Sequence, residues 1–128
     1  MFSRIMNKTY LEDWEICSAS REVMINFFHQ DTLEFETVTG GVKIVSERFI
    51  IDVTYRYGEY GFGIFNVNSK KYFNLNDLIL EVFPDYYRNK DIKVFSDENQ
   101  FANQTLYFKH LVQASLEFLA KYYPQMIT

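Results

Sequence analysis

The chain has little of what holds small secreted proteins together or anchors proteins in a membrane. Its 128 residues include one cysteine and two prolines, and no apolar run approaches the roughly 20 residues that a membrane-spanning helix needs. The single cysteine, Cys17, excludes an internal disulfide and is typical of a reducing compartment. The residues Met1–Lys8 lack the apolar segment of a secretory signal peptide. We therefore expect a cytoplasmic protein without membrane contact.

Positive charge is also scarce: 13 Lys and Arg stand against 17 Asp and Glu, and the formal net charge is −4. Binding to DNA or RNA depends on cationic side chains that neutralise phosphates, so this composition disfavours a nucleic-acid partner. The same acidic balance attracts a basic protein. Aromatic residues, in contrast, are plentiful at 19% of the chain. They supply core volume, and tyrosine is also common in protein interfaces.

The spacing of apolar residues predicts helices at both ends of the chain and strands between them. Thr9 and Glu12 fit a capping box, and apolar residues continue at helical spacing to Phe28, in one helix or two. A long helix is predicted over about 97–123. The sequence thus predicts a single α+β domain over residues 1–128. Its expected form is an antiparallel four- to five-stranded meander with helices packed on one face, a helical N-terminus and a long C-terminal helix.

Alternation of apolar and polar residues marks the strands. The clearest strand runs over 49–57, with aromatic and aliphatic residues on one side and polar residues on the other. Two-residue turns are expected at Gly40-Gly41 and at Gly58-Glu59, and each joins two strands. A further short strand precedes a helix that Asn74 caps.

No pattern of catalytic or metal-binding residues stands out. His29 and Asp31 with the distant His110 follow the ligand order of a two-histidine, one-carboxylate iron site, but a histidine that closes a helix is also favoured by the helix dipole. Cys17 lies on an apolar helical stripe near acidic residues, which do not stabilise a thiolate. The glycines over 58–63 join two strands instead of opening a helix, unlike a phosphate-binding loop. We therefore expect no metal, no cofactor and no enzymatic activity.

Two segments carry a family resemblance: the tyrosine-rich hairpin over 55–62 (YRYGEYGF) and the step over 71–78 (KYFNLNDL) into a helix. With this layout the chain resembles the small bacterial immunity proteins that neutralise toxins of competing cells. The resemblance implies a cytoplasmic, non-enzymatic protein whose partner is another protein, a basic toxin domain that it plugs or distorts. Acidic residues and tyrosines would carry most of such an interface. The candidate partner-binding residues are Glu34, Glu36, Asp52, Glu59, Tyr57, Tyr60, Tyr86 and Tyr87.

Two other functions stay open. A small-ligand or cofactor-free enzyme domain would hold a pocket between sheet and helices, framed by aromatic residues such as Phe62, Phe108 and Phe118. Gly61 and Gly63 share one face of a strand, where small residues fit close packing better than ligand contact. A homodimeric structural protein would instead require an exposed apolar patch.

Overall fold

The structure is a computed structural model that describes residues 11–29 and 32–128. One helix precedes five strands, and two helices follow them. In chain order the elements are α1 (Asp13–Phe27), β1 (Glu34–Val38), β2 (Gly41–Val45), β3 (Phe49–Arg56), β4 (Glu59–Asn66), β5 (Lys71–Asn74), α2 (Leu75–Val82) and α3 (Gln104–Tyr122). Short 3-10 turns lie at Glu98–Gln100 and Pro124–Met126. This order confirms the predicted α+β class, with an antiparallel meander between an early helix and a long late one.

The five strands form one antiparallel sheet whose spatial order, β1-β2-β3-β4-β5, equals their order along the chain. The central strand β3 buries every second side chain, from Phe49 to Tyr55. Ile51 shows the consequence, because it lies between Ile44 of β2 and Ile64 of β4, and all three are fully buried. Strand alternation thus sends one face of the sheet into the core.

The helices fill the space over that face. Helix α1 packs against α3 and against β1, β2 and β3, while α2 contacts β4 and β5. Ring contacts join the layers, since Phe28 lies 5.1 Å from Phe49 and Phe108 of α3 lies 5.1 Å from Tyr55. A polar contact also fixes α1, because Asp13 accepts a hydrogen bond at 2.9 Å from the N–H of Gly40 in the β1–β2 turn.

Side-chain caps set where the helices begin. Thr9 lies outside the described residues, and Glu12 occupies the N-cap of α1, where it exchanges hydrogen bonds with Glu15 in a capping box. In the described region α1 is a single helix. Asn74 caps α2, as the sequence predicts. The prediction that the long helix begins near Asp97 is wrong, because Asn103 accepts the N–H of Leu106 and α3 starts only there.

Both glycine-containing turns lie one residue earlier than their predicted positions. Val38 pairs with Gly41, so the first turn is Thr39-Gly40. Arg56 pairs with Glu59, so the second is Tyr57-Gly58. Tyr57 and Gly58 both have positive φ, 54° and 81°, as a type I′ hairpin turn requires. Tyr57 therefore leaves the buried face of β3 and sits at the tip of the hairpin.

Candidate functional site

The second face of the sheet carries side chains that do not join the core. We call it the open face and define it by the outward-facing residues of the five strands, because the helices pack on the other side. Its residues are Glu34, Glu36, Val38, Gly41, Lys43, Val45, Ile50, Asp52, Thr54, Arg56, Glu59, Gly61, Gly63, Phe65, Tyr72 and Asn74. They are exposed or partly buried, except Gly41 and Gly63, whereas their neighbours along β3 are fully buried.

An apolar row crosses the open face. Val45 pairs with Ile50, Ile50 with Phe65, and Phe65 with Tyr72, so four apolar side chains on consecutive strands stand next to one another. We call these four residues the apolar row. At a strand spacing of about 4.8 Å the row is about 14 Å long. Tyr72, at one end, keeps 56% of its surface exposed.

Gly63 provides the surface on which the Tyr72 side chain rests. A β-carbon built on Gly63 would lie 1.7 Å from the hydroxyl oxygen of Tyr72 and 2.4 Å from its Cζ atom. The glycine therefore serves close packing between neighbouring strands, as predicted from its position. Partial burial raises the pKa of the Tyr72 hydroxyl, and the negative charge of Asp52 raises it further. The phenol end of Tyr72 thus points from the apolar row toward Asp52.

Acidic side chains border the apolar row. Glu36, Lys43 and Asp52 are successive cross-strand partners, so one cation lies between two carboxylates. Glu34 pairs with Val45 and so stands at the β1 end of the apolar row. With Glu59 and Arg56 counted, the open face holds four carboxylates and two cations, a net charge of −2. All four predicted acidic residues therefore lie on one face, with Lys43 and Arg56 beside them.

The predicted tyrosines separate. Tyr57 stands at the hairpin tip next to Arg56 and is 84% exposed. Tyr86 and Tyr87 lie in the connection between α2 and α3, with ring centres 5.2 Å apart, and Tyr87 is exposed. The structure does not bring Tyr60 to the open face, because its hydroxyl lies 2.7 Å from Ser115 Oγ of α3. Burial raises the pKa of that hydroxyl, and the bond to Ser115 opposes the effect.

Sequence reasoning missed the apolar row, although a signal was available. Alternation along β3 puts Ile50 on the same side as Asp52, and Ile50 is therefore an outward-facing apolar residue in the clearest strand. Its partners on β2 and β4 follow once the register of the meander is known. The register depends on turn positions, and these were predicted one residue late.

His110, one of the three candidate metal ligands, makes an ordinary structural contact. Asp31 lies outside the described residues, and His29 is exposed just beyond α1. His110 uses Nε2 to accept a hydrogen bond from the N–H of Ser96 at 2.8 Å. In the described parts of the chain, no three His, Cys, Asp or Glu residues form a group that could hold a metal ion. Cys17 is partly buried against the core.

The aromatic residues predicted to frame a ligand pocket belong to the core. Phe62, Phe108 and Phe118 are all buried in one hydrophobic cluster with the other core residues. Clefts occur at the surface, and one of about 300 Å³ lies beside Tyr57 and Arg56. Another, of about 220 Å³, lies between α1 and α3 next to Trp14.

Comparison with protein-family models, with curated proteins and with solved structures finds no match. Within residues 11–29 and 32–128, no helix is long and apolar enough to cross a membrane. The open face offers apolar contact area, carboxylates and a phenol hydroxyl. These groups are suited to contact with another protein surface.

Proposed function

We propose that this protein is a non-enzymatic binding module whose open face docks a protein partner. The observation that carries the proposal is the apolar row of Val45, Ile50, Phe65 and Tyr72, bordered by acidic side chains on a face that the helices leave uncovered. The layout resemblance to bacterial immunity proteins supports a toxin domain as the partner. The net charge of the face supports a partner whose contact surface is basic.

The open face combines two features of protein interfaces. Specific interfaces have an apolar centre within a polar rim, and aromatic residues are enriched at the centre. Phe65 and Tyr72 supply the aromatic residues, and Asp52 stands next to them. Charged rims steer encounter and exclude partners of the wrong sign. A basic partner would find carboxylates on both sides of Lys43.

The arrangement of the carboxylates favours binding over catalysis. Glu36 and Asp52 lie on either side of Lys43 on an exposed sheet surface. General acid–base work by paired acids needs environments that separate their pKa values, and enclosure is the usual means. A flat, charge-alternating row does not enclose a substrate. It does present charges in a fixed order to another surface.

The test is a charge-reversal variant with a matched control. Glu36→Lys/Asp52→Lys changes the charge of the open face by +4, and Asp91→Lys/Glu117→Lys makes the same change at exposed positions away from it. Tagged wild-type protein is used as bait in source cells, and a retained protein is identified by mass spectrometry and purified. Calorimetry then gives Kd for the wild type and both variants at two salt concentrations.

We expect the face variant to bind the purified partner on the order of 100-fold more weakly, which corresponds to about 2.7 kcal/mol. The control variant should bind like the wild type. Equal binding by both variants would remove the open face from the proposal. A wild-type dimer that the face variant converts to a monomer would assign the face to a second copy of the chain instead.

A further inference from the structure

The tip of the β3–β4 hairpin holds an aromatic residue in a backbone conformation that does not suit it. Tyr57 has φ 54°, in the left-handed region that Gly, Asn and Asp adopt far more readily than other residues. In the two-residue turn that Tyr57 forms with Gly58, Asn-Gly is the preferred pair. Tyrosine is therefore a poor choice for the turn itself.

The Tyr57 side chain contributes little buried surface to the fold. The Tyr57 side chain is 84% exposed, the largest exposed fraction among the exposed large hydrophobic residues of the described chain. Tyr55, two residues earlier, is almost fully buried and contacts Phe108. The two tyrosines of the hairpin thus differ in burial, one inside the core and one at the surface. A strained residue that contributes little burial is a candidate for function.

The tip continues the open face. From Asp52 the outward-facing residues of β3 lead through Thr54 to Arg56, which pairs with Glu59 at the base of the turn. A partner that covers Arg56 and Glu59 therefore lies next to the turn that holds Tyr57. Tyrosine is among the residues most often found as interface anchors, because its ring gives a large contact area and its hydroxyl a hydrogen bond.

We infer that Tyr57 is an anchor of the partner interface, and that it inserts its ring into an apolar pocket of the partner next to a basic residue that meets Glu59. This inference rests on the proposed function, since it takes the same protein partner. The anchor lowers the stability of the fold, because it occupies a position where asparagine would stabilise the turn. We therefore expect Tyr57→Asn to raise stability and to weaken binding.

Three variants separate the roles of backbone and ring. Tyr57→Asn relieves the left-handed strain and removes the ring. Tyr57→Ala removes the ring and keeps a residue that disfavours this φ. Tyr57→Phe keeps both the strain and the ring, and removes only the hydroxyl.

The experiment measures urea unfolding of the full chain and calorimetric Kd for the purified protein that the wild-type bait retains. We expect Tyr57→Asn to raise the urea midpoint and to raise Kd at least tenfold. Tyr57→Ala should raise Kd similarly without raising the midpoint, and Tyr57→Phe should stay within about threefold of the wild-type Kd.

The outcomes distinguish this inference from the proposed function. Wild-type binding by Tyr57→Asn overturns the anchor, while the open face stands if Glu36→Lys/Asp52→Lys still loses the partner. If the wild type retains no protein, the proposed function fails and the anchor fails with it. A lower urea midpoint for Tyr57→Asn would overturn the claim that tyrosine strains the turn. A photo-crosslinking residue at position 57 gives a direct check, because it should attach to the same partner, whereas one at the exposed position 91 should not.

Discussion

Nε2 of His110 accepts a hydrogen bond from the backbone N–H of Ser96 at 2.8 Å. The contact ties the connection between α2 and α3 to the middle of α3. The ring of Phe101 lies 4.9 Å from the imidazole at an angle of 30° and adds a second contact from the same connection. Only a neutral imidazole can accept this bond, because both ring nitrogens of the protonated form are donors.

This contact predicts that stability falls in mild acid. Burial lowers the pKa of His110 below its ordinary 6.5, and the carboxylate of Glu117 opposes the shift. The unfolded chain therefore binds this proton at a higher pH than the folded chain does. The stability linked to His110 is complete above about pH 6.5 and is lost as pH falls from there through the folded pKa.

Urea unfolding at pH 7.5 and 5.5 measures the effect, with His110→Gln as the comparison. A glutamine oxygen can still accept the Ser96 N–H but does not titrate in this range. The wild type should lose more stability between the two pH values than the variant does. The same loss in both proteins would show that other groups cause the pH dependence.

Ser20 predicts a stabilising substitution. It is fully buried in α1, and among the described residues its hydroxyl is the one buried side-chain polar group without a hydrogen-bond partner. An unpaired buried hydroxyl is unfavourable, and alanine also suits a helix interior better. Ser20→Ala should raise the free energy of unfolding by about 1 kcal/mol. Chemical unfolding checks this, and a destabilised variant would mean that the hydroxyl is satisfied.

Ser115 is a matched contrast, because it is equally buried but fully bonded. Its hydroxyl donates to the carbonyl of Leu111 and lies 2.7 Å from the hydroxyl of Tyr60. Ser115→Ala leaves the Tyr60 hydroxyl with the longer 3.3 Å contact to Leu111. We expect a loss of about 1–2 kcal/mol. Tyr60→Phe/Ser115→Ala should cost less than the sum of the single changes, and strict additivity in this cycle would argue against the bond.

The effect of Gly63→Ala on stability should depend on whether the Tyr72 side chain is present. In the wild type, Gly63→Ala pushes the Tyr72 side chain away from its place on the open face, because the new β-carbon overlaps the phenol. The ring is exposed and can rotate, so the loss of stability should stay below about 1 kcal/mol. In a Tyr72→Ala background the same change should be neutral or stabilising, since alanine loses less backbone entropy than glycine. Unfolding curves of the four proteins test this, and partner binding should weaken with Gly63→Ala alone.

The sequence allowed the face of each β3 residue to be predicted, but not the ends of the elements. Alternation from Phe49 onward depends only on the two-residue period of a strand, so the outward position of Asp52 was predicted correctly. Tyr57 fits the same alternation but lies in the turn, because the two residues with positive φ are Tyr57 and Gly58. The turn therefore begins one residue before its predicted position. A shift of one residue exchanges the faces of a strand, which is why its end was harder to predict than its middle.

The acidic part of the candidate site could also be predicted from the sequence. The acidic residues were grouped correctly because charges on neighbouring strands follow from the meander. The apolar row was not predicted, because aromatic residues such as Phe65 and Tyr72 are typical of a protein core. Only the tertiary packing shows which aromatic residues the helices cover. Tyr60 was predicted to face a partner, but it bonds to Ser115 of α3 instead. The sequence did not predict this contact, because the two residues are 55 positions apart in the chain.

The contact between α1 and α3 has a consequence for the order of synthesis. The meander joins strands that are neighbours along the chain, so it can assemble as the strands leave the ribosome one after another. The buried side of α1, in contrast, has to wait for the α3 residues that cover it. A chain that stops before Gln104 lacks this cover on α1. We therefore expect chaperones and proteases to distinguish interrupted chains from finished ones by the uncovered surface of α1.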